Sequence, residues 1–271
     1  MEEGLPPDGF SDRRGSAASK EPAVRVNGLN CHYGGTHVLF DIDAVFPSGT
    51  ITVIAGRSGC GKTTLLRNIL RLVEPSSGTI EVFGEEITSL DEDDLMAMRP
   101  RLGVLFQNGA LLQSATVGAN VAVPLEQHTR LSSDIIDRIV LRKLQLVELG
   151  GSEQMMPSEL SGGMKKRAAL ARTLALDPDI VFFDEPSAGL DPVTAAALDA
   201  LILELSRKLG ITVVVVTHEL TSIRRIADRM LFIENGHARF EGPLGDALKS
   251  DIPALADFFS HGTPSVRAAG E

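Results

Sequence analysis

TITVIA, residues 50 to 55, is a short β-rich apolar run, and it opens directly into GRSGCGKT, Gly56 to Thr63. A helical pattern follows from Lys62 to Leu72. Strand, glycine loop and helix in this order satisfy G-x-x-x-x-G-K-[ST] in the context its chemistry requires. The glycines let consecutive backbone N–H groups turn toward one point, and the helix N-terminus adds a favourable dipole for an anion. Gly56, Arg57, Ser58, Gly59, Cys60 and Gly61 then form a phosphate cradle. Lys62 supplies charge between β- and γ-phosphates, and the hydroxyl of Thr63, with Thr64 beside it, stands where magnesium binds. The competing reading is a plain glycine turn before a helix. Cys60 reads as a small residue that permits close approach, with thiol regulation as the lesser alternative.

The rest of the chain fits an α/β fold around this loop. IVFF, residues 180 to 183, and ITVVVV, residues 211 to 216, are continuous apolar runs of strand length, as expected of parallel strands buried on both faces. Between them lies a helix that Asp191 caps and Pro192 opens, with Leu198, Leu201, Ile202, Leu205 and Leu209 on one face and Gly210 after its end. EPSSGTIEVFG, Glu74 to Gly84, has turn chemistry followed by alternation and predicts an antiparallel excursion. Asn235-Gly236 predicts a hairpin. Residues 1–22 read as a disordered leader, and the core is expected from residue 23 to about 250. Residues 108–165 read as a helical subdomain interrupted at Pro124, Gly150 and Pro157, and residues 251–271 as a tail, polar after Phe259.

Composition narrows the setting. With 43% hydrophobic and 23% charged residues over 271 positions, the chain can build a sizeable core. No apolar stretch approaches the roughly 18 residues of a membrane span, and the first twenty residues lack the apolar centre of a secretory signal, so a cytosolic chain is expected. Cys31 and Cys60 are too few for a disulfide framework and have no metal-ligand spacing. A formal charge of -10 argues against nucleic acid as a partner.

IVFFDE places Asp184 and Glu185 at the C-terminal end of a buried strand, where ligands bind in open α/β sheets. Asp184 is a candidate to hold magnesium through water, and Glu185 to orient or deprotonate the water that attacks the γ-phosphate. A lone pair of acids at a strand end is ordinarily just solvated; the phosphate loop reverses that preference. His218, after ITVVVVT, is either a structural group or a γ-phosphate sensor, and a third strand aimed at the same crevice favours the sensor. Gln107, in GVLFQN, follows an apolar run in the same way and is a candidate to touch magnesium and water.

SELSGGMKK, residues 158 to 166, looks like a second anion-gripping helix N-terminus, about a hundred residues beyond the phosphate loop. The set GRSGCGKT, FQN, LSGGM, VFFDEP, SAGLD and VVVTHE, in this order, resembles the ATP-binding subunit of ABC transporters over about Val24 to Gly242. That resemblance implies a P-loop, RecA-like core with a mainly parallel sheet, an antiparallel β subdomain and an α-helical signature subdomain. It implies ATP and Mg2+ as cofactors and a homodimer packed head to tail. Ser161, Gly162 and Gly163 of one subunit would grip the γ-phosphate held by the loop of the other, with SAGLD, Ser187 to Asp191, along the interface. Tyr33, in CHYGG, resembles the aromatic that stacks on adenine; the alternative is a buried structural tyrosine.

Met164 stands where the general family has glutamine after LSGG and makes no strong hydrogen bond. LSGGMKKRAALAR, LFQNGALLQSATVGANVAVPLEQH and DEPSAGLDPVT look like the Mla/Mce branch, which moves phospholipid or other lipid between bacterial membranes. This implies integral-membrane permease subunits, an MCE-domain protein and a small accessory regulatory subunit as partners, with the chain held peripherally on the cytoplasmic face of the inner membrane. The rivals are an ABC ATPase for another cargo and a soluble ABC ATPase of translation or DNA, whose double cassettes or coiled-coil insertions the chain lacks. Lys165, Lys166 and Arg167 read as a solvated helix face. GALL, after Gln107, is either core or a groove for a membrane subunit's helix, with the groove favoured in this family. IPALADFF, residues 252 to 259, docks either on a partner or on the chain's own core.

Overall fold

The computed structural model of the protein describes residues 22–260. Of the expected leader only Pro22 falls within them, and the tail beyond Ser260 lies outside them.

Six strands form the central sheet: β3 (Ile51–Ala55), β6 (Leu102–Leu105), β7 (Ile180–Asp184), β8 (Thr212–Val216), β9 (Arg229–Glu234) and β10 (His237–Pro243). Their order is β10-β9-β3-β8-β7-β6, parallel throughout except for the β9–β10 hairpin at the edge. Asn235 and Gly236 both have positive φ, 49° and 77°, which the tight turn of that hairpin requires.

The continuous apolar runs follow from burial on two faces. Val53, Val181, Phe183, Val213, Val215 and Phe232 join one core, and Ile54, Phe182, Val214, Val216 and Leu231 join the other. Strand period 2 sends alternate side chains to opposite faces, and both faces are covered, so both alternating sets are mainly apolar, with Thr52 and Thr212 as buried polar exceptions. One cover is the antiparallel sheet β2-β1-β4-β5, built from β1 (Pro22–Tyr33), β2 (Thr36–Pro47), β4 (Ser77–Val82) and β5 (Glu85–Glu86), together with α1 (Lys62–Ile69). The other is helical: α3 (Val117–His128), α4 (Ser133–Leu146), α5 (Gly162–Thr173), α6 (Pro192–Leu209), α7 (Leu220–Ile226), α8 (Leu244–Ala247) and α9 (Pro253–Ser260). The short α2 (Glu92–Met98) leads into β6.

Helix α6 begins and ends as its sequence predicts. Asp191 accepts from the N–H groups of Val193 and Thr194, and Gly210 takes the left-handed conformation after the last turn.

Four expectations are corrected. Helix α1 stops at Ile69 rather than Leu72, because Arg71 takes φ 50° and its guanidinium is drawn to the carbonyls of Ile87 and Thr88. Pro124 does not interrupt its segment but lies inside α3, where the buried Val117, Val121 and Leu125 offset the hydrogen bond its ring removes. Lys165, Lys166 and Arg167 are not a solvated face: all three are buried or half-buried, Lys166 being 7% exposed. The last helix of the signature region, α5, also runs past 165 to Thr173, returning the chain to β7.

The open alternatives resolve as follows. IPALADFF folds on the chain's own core, with Leu255, Phe258 and Phe259 buried and the Phe258 ring 5.1 Å from that of Phe232. GALL divides: Leu111 joins the core and Leu112 is exposed.

Candidate functional site

Four strands end beside one another and deliver the candidate residues to a cleft of about 340 Å³. It is lined by Ser58, Gly59, Gly61, Lys62, Thr63, Thr64, Gln107, Glu185 and His218, with Val38 and Ala188. Sites outside the carboxyl ends of parallel strands follow from this topology, since loops there diverge and leave a crevice.

The phosphate loop is held by close approach. Gly56 has φ 150°, and a Cβ there would come within 2.1 Å of the Ile233 carbonyl oxygen and 2.7 Å of the Cys60 sulfur. Gly61 has φ 108°, with the Leu39 side chain 2.6 Å from where a Cβ would sit. The Cys60 side chain therefore fills the inside of the loop, and burial pushes its thiol pKa up. Buried Lys62 donates from Nζ to the carbonyls of Gly56 and Arg57 at 2.9 and 3.0 Å, which folds its charge over the loop.

Thr63 Oγ1 donates to Asp184 Oδ1 at 3.2 Å. A hydroxyl and a carboxylate so placed fit a hard cation that keeps waters and binds phosphate oxygens, as magnesium does. Among the described residues no group of three or more His, Cys, Asp or Glu could hold a metal ion, and this chemistry does not need one. Burial raises the Asp184 pKa above the ordinary carboxylate value, Glu185 adds to the shift, and Thr63, Arg67 and Lys62 oppose it. An acid raised in this way weakens the fold once it ionises, so stability falls as pH climbs through the carboxylate range. Asp184→Asn is accordingly expected to melt above the wild-type chain at pH 7 without nucleotide or metal, the gap closing as pH falls. Thermal scans across pH check this.

Glu185 follows β7 with φ 48°, a conformation non-glycine residues seldom adopt. Its N–H donates to the Val216 carbonyl, His218 Nδ1 stands 2.7 Å from Oε1, and Thr217 Oγ1 donates to Oε2 at 3.2 Å. Both oxygens are thus held by residues at the end of β8 where Glu185 lines the cleft, and the Glu185 side chain remains 15% exposed.

Of the predicted residues, Gly56, Cys60 and Asp184 stand behind the cleft lining, and Ser161, Gly162 and Gly163 are not part of it either. Ser161 is exposed and caps α5, its Oγ accepting from the Met164 N–H at 3.3 Å, while the Met164 side chain packs on the core. A Cβ at Gly163 would meet Thr194 Cγ2 at 2.5 Å, so this glycine also serves the packing of α5 against α6. Tyr33 is 59% exposed, which excludes the buried structural alternative, and it too lies outside the cleft lining. Arg57 is also outside the cleft lining and pairs with Asp257 of α9.

Sequence reasoning misses Thr217 and Arg172 and misplaces Lys166 on a solvated face. Thr217 is a hydroxyl one position before His218, and asking what could hold Glu185 from that strand end would have found it. Lys166 donates to the Gln107 carbonyl from α5, and Arg172 of the same helix donates to those of Gly109 and Ala110 at 2.7 and 2.8 Å. Nothing in three consecutive cations signals that one of them is buried. Burial lowers the Lys166 pKa, with the Asp184 charge opposing.

The sequence profile described as ABC transporter matches residues 39–188. A probable ribonucleotide transport ATP-binding protein, mkl, of Mycobacterium tuberculosis is 39% identical over 238 residues, 88% of this chain and 66% of that protein. The chain therefore spans about two thirds of that relative's length. The intermembrane phospholipid transport system ATP-binding protein MlaF of Escherichia coli is 47% identical over 195 residues, 72% of each chain. Among solved structures, a dimeric ATP-binding cassette in a post-hydrolysis state with ADP and phosphate superposes with a TM-score of 0.75 at 30% identity, covering 82% of this chain and 98% of that one.

Proposed function

The chain belongs to the ABC transporter family, and from that footing we propose that it is the ATP-hydrolysing subunit of a system that moves phospholipid through membrane-embedded partners. The observation that carries the hydrolytic reading is the orientation of Glu185. Its two carboxylate oxygens are held by His218 and Thr217 at the mouth of a cleft that Lys62 and Thr63 also line.

In this reading ATP lies with its phosphates in the loop Gly56 to Thr63 and its adenine against Tyr33. Magnesium, held by Thr63 and Asp184 with Gln107 nearby, would neutralise charge on the β- and γ-phosphates. Glu185 accepts a proton as water oxygen bonds to the γ-phosphorus, and the bond from that phosphorus to the β–γ bridging oxygen breaks to release ADP. His218 keeps Glu185 aimed and reads the γ-phosphate. A second copy supplies Ser161, Gly162 and Gly163 to complete the site. The dimeric state of the ADP-bound relative and the exposure of Ser161 away from its own cleft support this arrangement.

No helix among the described residues is long and apolar enough to cross a membrane. Membrane action is therefore assigned to permease subunits, with this chain peripheral on the cytoplasmic face of the inner membrane. An MCE-domain protein and a small accessory subunit complete the proposed assembly. A second cargo, ribonucleotide, is favoured by the mycobacterial relative, a probable ribonucleotide transport protein that aligns over 88% of this chain against 72% for the Escherichia coli MlaF.

Co-purification decides between them. The tagged chain, drawn from host membranes in mild detergent, is expected to bring a lipid-type permease and an MCE-domain protein, identified by mass spectrometry, and to hydrolyse ATP. A permease with a nucleoside-phosphate-binding partner would transfer the cargo to the second reading. Ribosomal or DNA-bound partners would overturn transport altogether.

A further inference from the structure

Asp199 lies in the middle of α6, is 0% exposed, and has no part in the chemistry described above. An isolated buried carboxylate is costly, and one that persists is usually paired and hydrogen-bonded. Both of its oxygens are engaged. Oδ1 accepts from the Ser187 hydroxyl at 3.3 Å, and Oδ2 accepts from the Ser222 hydroxyl at 2.7 Å and from Arg225 at 2.5 Å. Ser187 and Ser222 are themselves buried, and Arg225 reaches in from a side chain 38% exposed.

The donors come from two different parts of the site. Ser187 opens SAGLD, two residues after Glu185. Ser222 and Arg225 belong to α7, the helix that begins two residues after His218. Since His218 and Thr217 hold Glu185 from the other side, a closed ring results: Glu185, Ser187, Asp199, α7, His218 and Glu185 again. Helix α6 passes behind both loops, and Asp199 is the point at which it grips them. Buried polar networks of this kind rigidify what they connect when every member is satisfied.

We propose that Asp199 is a positioning residue for hydrolysis, locking the SAGLD loop to the His218 segment so that displacement of Ser187 moves the Glu185–His218 pair. This rests on the hydrolytic reading above. It makes the loop expected at the dimer interface and the group expected to activate water one mechanical unit, in which the charge of Asp199 acts through other residues and touches no substrate.

The test uses Asp199→Asn in the full chain, where an amide keeps the size and one acceptor but loses the pairing with Arg225. Turnover should fall at least tenfold while KM for ATP stays within about twofold, because the phosphate loop is not part of the ring. Combined with His218→Ala, the double variant should be no more than about twofold slower than His218→Ala alone, as expected of residues acting as one unit. A purely structural role would instead multiply the two losses. If Asp199→Asn does not fold, Ser222→Ala carries the same pair of measurements, removing one donor and leaving Asp199 paired with Arg225. Turnover within twofold of wild type, a loss borne equally by KM, or multiplicative effects would each overturn the proposal. Failure of the wild-type assembly to hydrolyse ATP would overturn the underlying reading instead.

Discussion

Glu185→Gln is expected to bind ATP about as well as the wild-type chain and to lose between roughly a hundredfold and ten-thousandfold in turnover, the range typical of a removed general base. The substitution preserves shape. A glutamine can still accept from Thr217 or from His218, so the φ of 48° after β7 and the cleft mouth should survive. What it cannot do is take a proton from water. In the proposed head-to-tail dimer, ATP would then remain intact between the two copies and hold them together. Size-exclusion chromatography with ATP and magnesium should show a stable dimer for this variant, and the loss of turnover should appear without a rise in KM. Turnover within threefold of wild type would remove Glu185 from the base role.

Ser161→Arg should abolish hydrolysis while leaving ATP affinity of the single chain unchanged. Ser161 is exposed, caps α5 with its hydroxyl, and is absent from the cleft that Lys62 and Thr63 line. Losing the cap costs about 1 kcal/mol of helix stability. Helix α5 tolerates this, because Ala168, Ala169, Leu170 and Ala171 are buried behind it. A large cation at that position meets nothing in its own chain's nucleotide site, yet it would stand between two copies packed head to tail. Titration with a fluorescent ATP analogue at protein concentrations below dimerisation, followed by a turnover assay, separates the two effects. Weakened binding by the lone chain would show that Ser161 serves its own site, and unimpaired turnover would show that it serves none.

Much of this site was legible because its chemistry depends on local spacing. Gly56 to Thr63 is contiguous, and so are Asp184 with Glu185. Each sits at the end of a run whose apolar continuity already marks a buried strand. The strand and cap signals of β7, α6 and β8 worked for the same reason, since a period of 2, an Asp-Pro start and a glycine stop are properties of neighbours in the chain. Helix ends set by distant groups were not legible. Arg71 leaves the helix because it reaches carbonyls at positions 87 and 88, sixteen and seventeen residues away.

The charged residues divide along the same line. Lys62 could be placed from the sequence, because the loop that its Nζ folds over is contiguous with it. Lys166 could not, since its burial depends on the Gln107 loop lying across α5, a contact between segments 59 residues apart. Asp199 appears in the sequence as one of several polar residues of an amphipathic helix, which solvent would ordinarily claim. Only the packing of α7 and the SAGLD loop over α6 takes it out of water and engages both of its oxygens. Sequence alone determined the glycine-rich loop between strand and helix, the strands that carry the acids and the order of the motifs, because short-range backbone geometry and burial periodicity are written in adjacent residues. Tertiary structure alone decided which charges are buried and which groups hold the reactive ones. That choice depends on which surfaces meet, and a buried charge is kept only where remote partners compensate the water it loses.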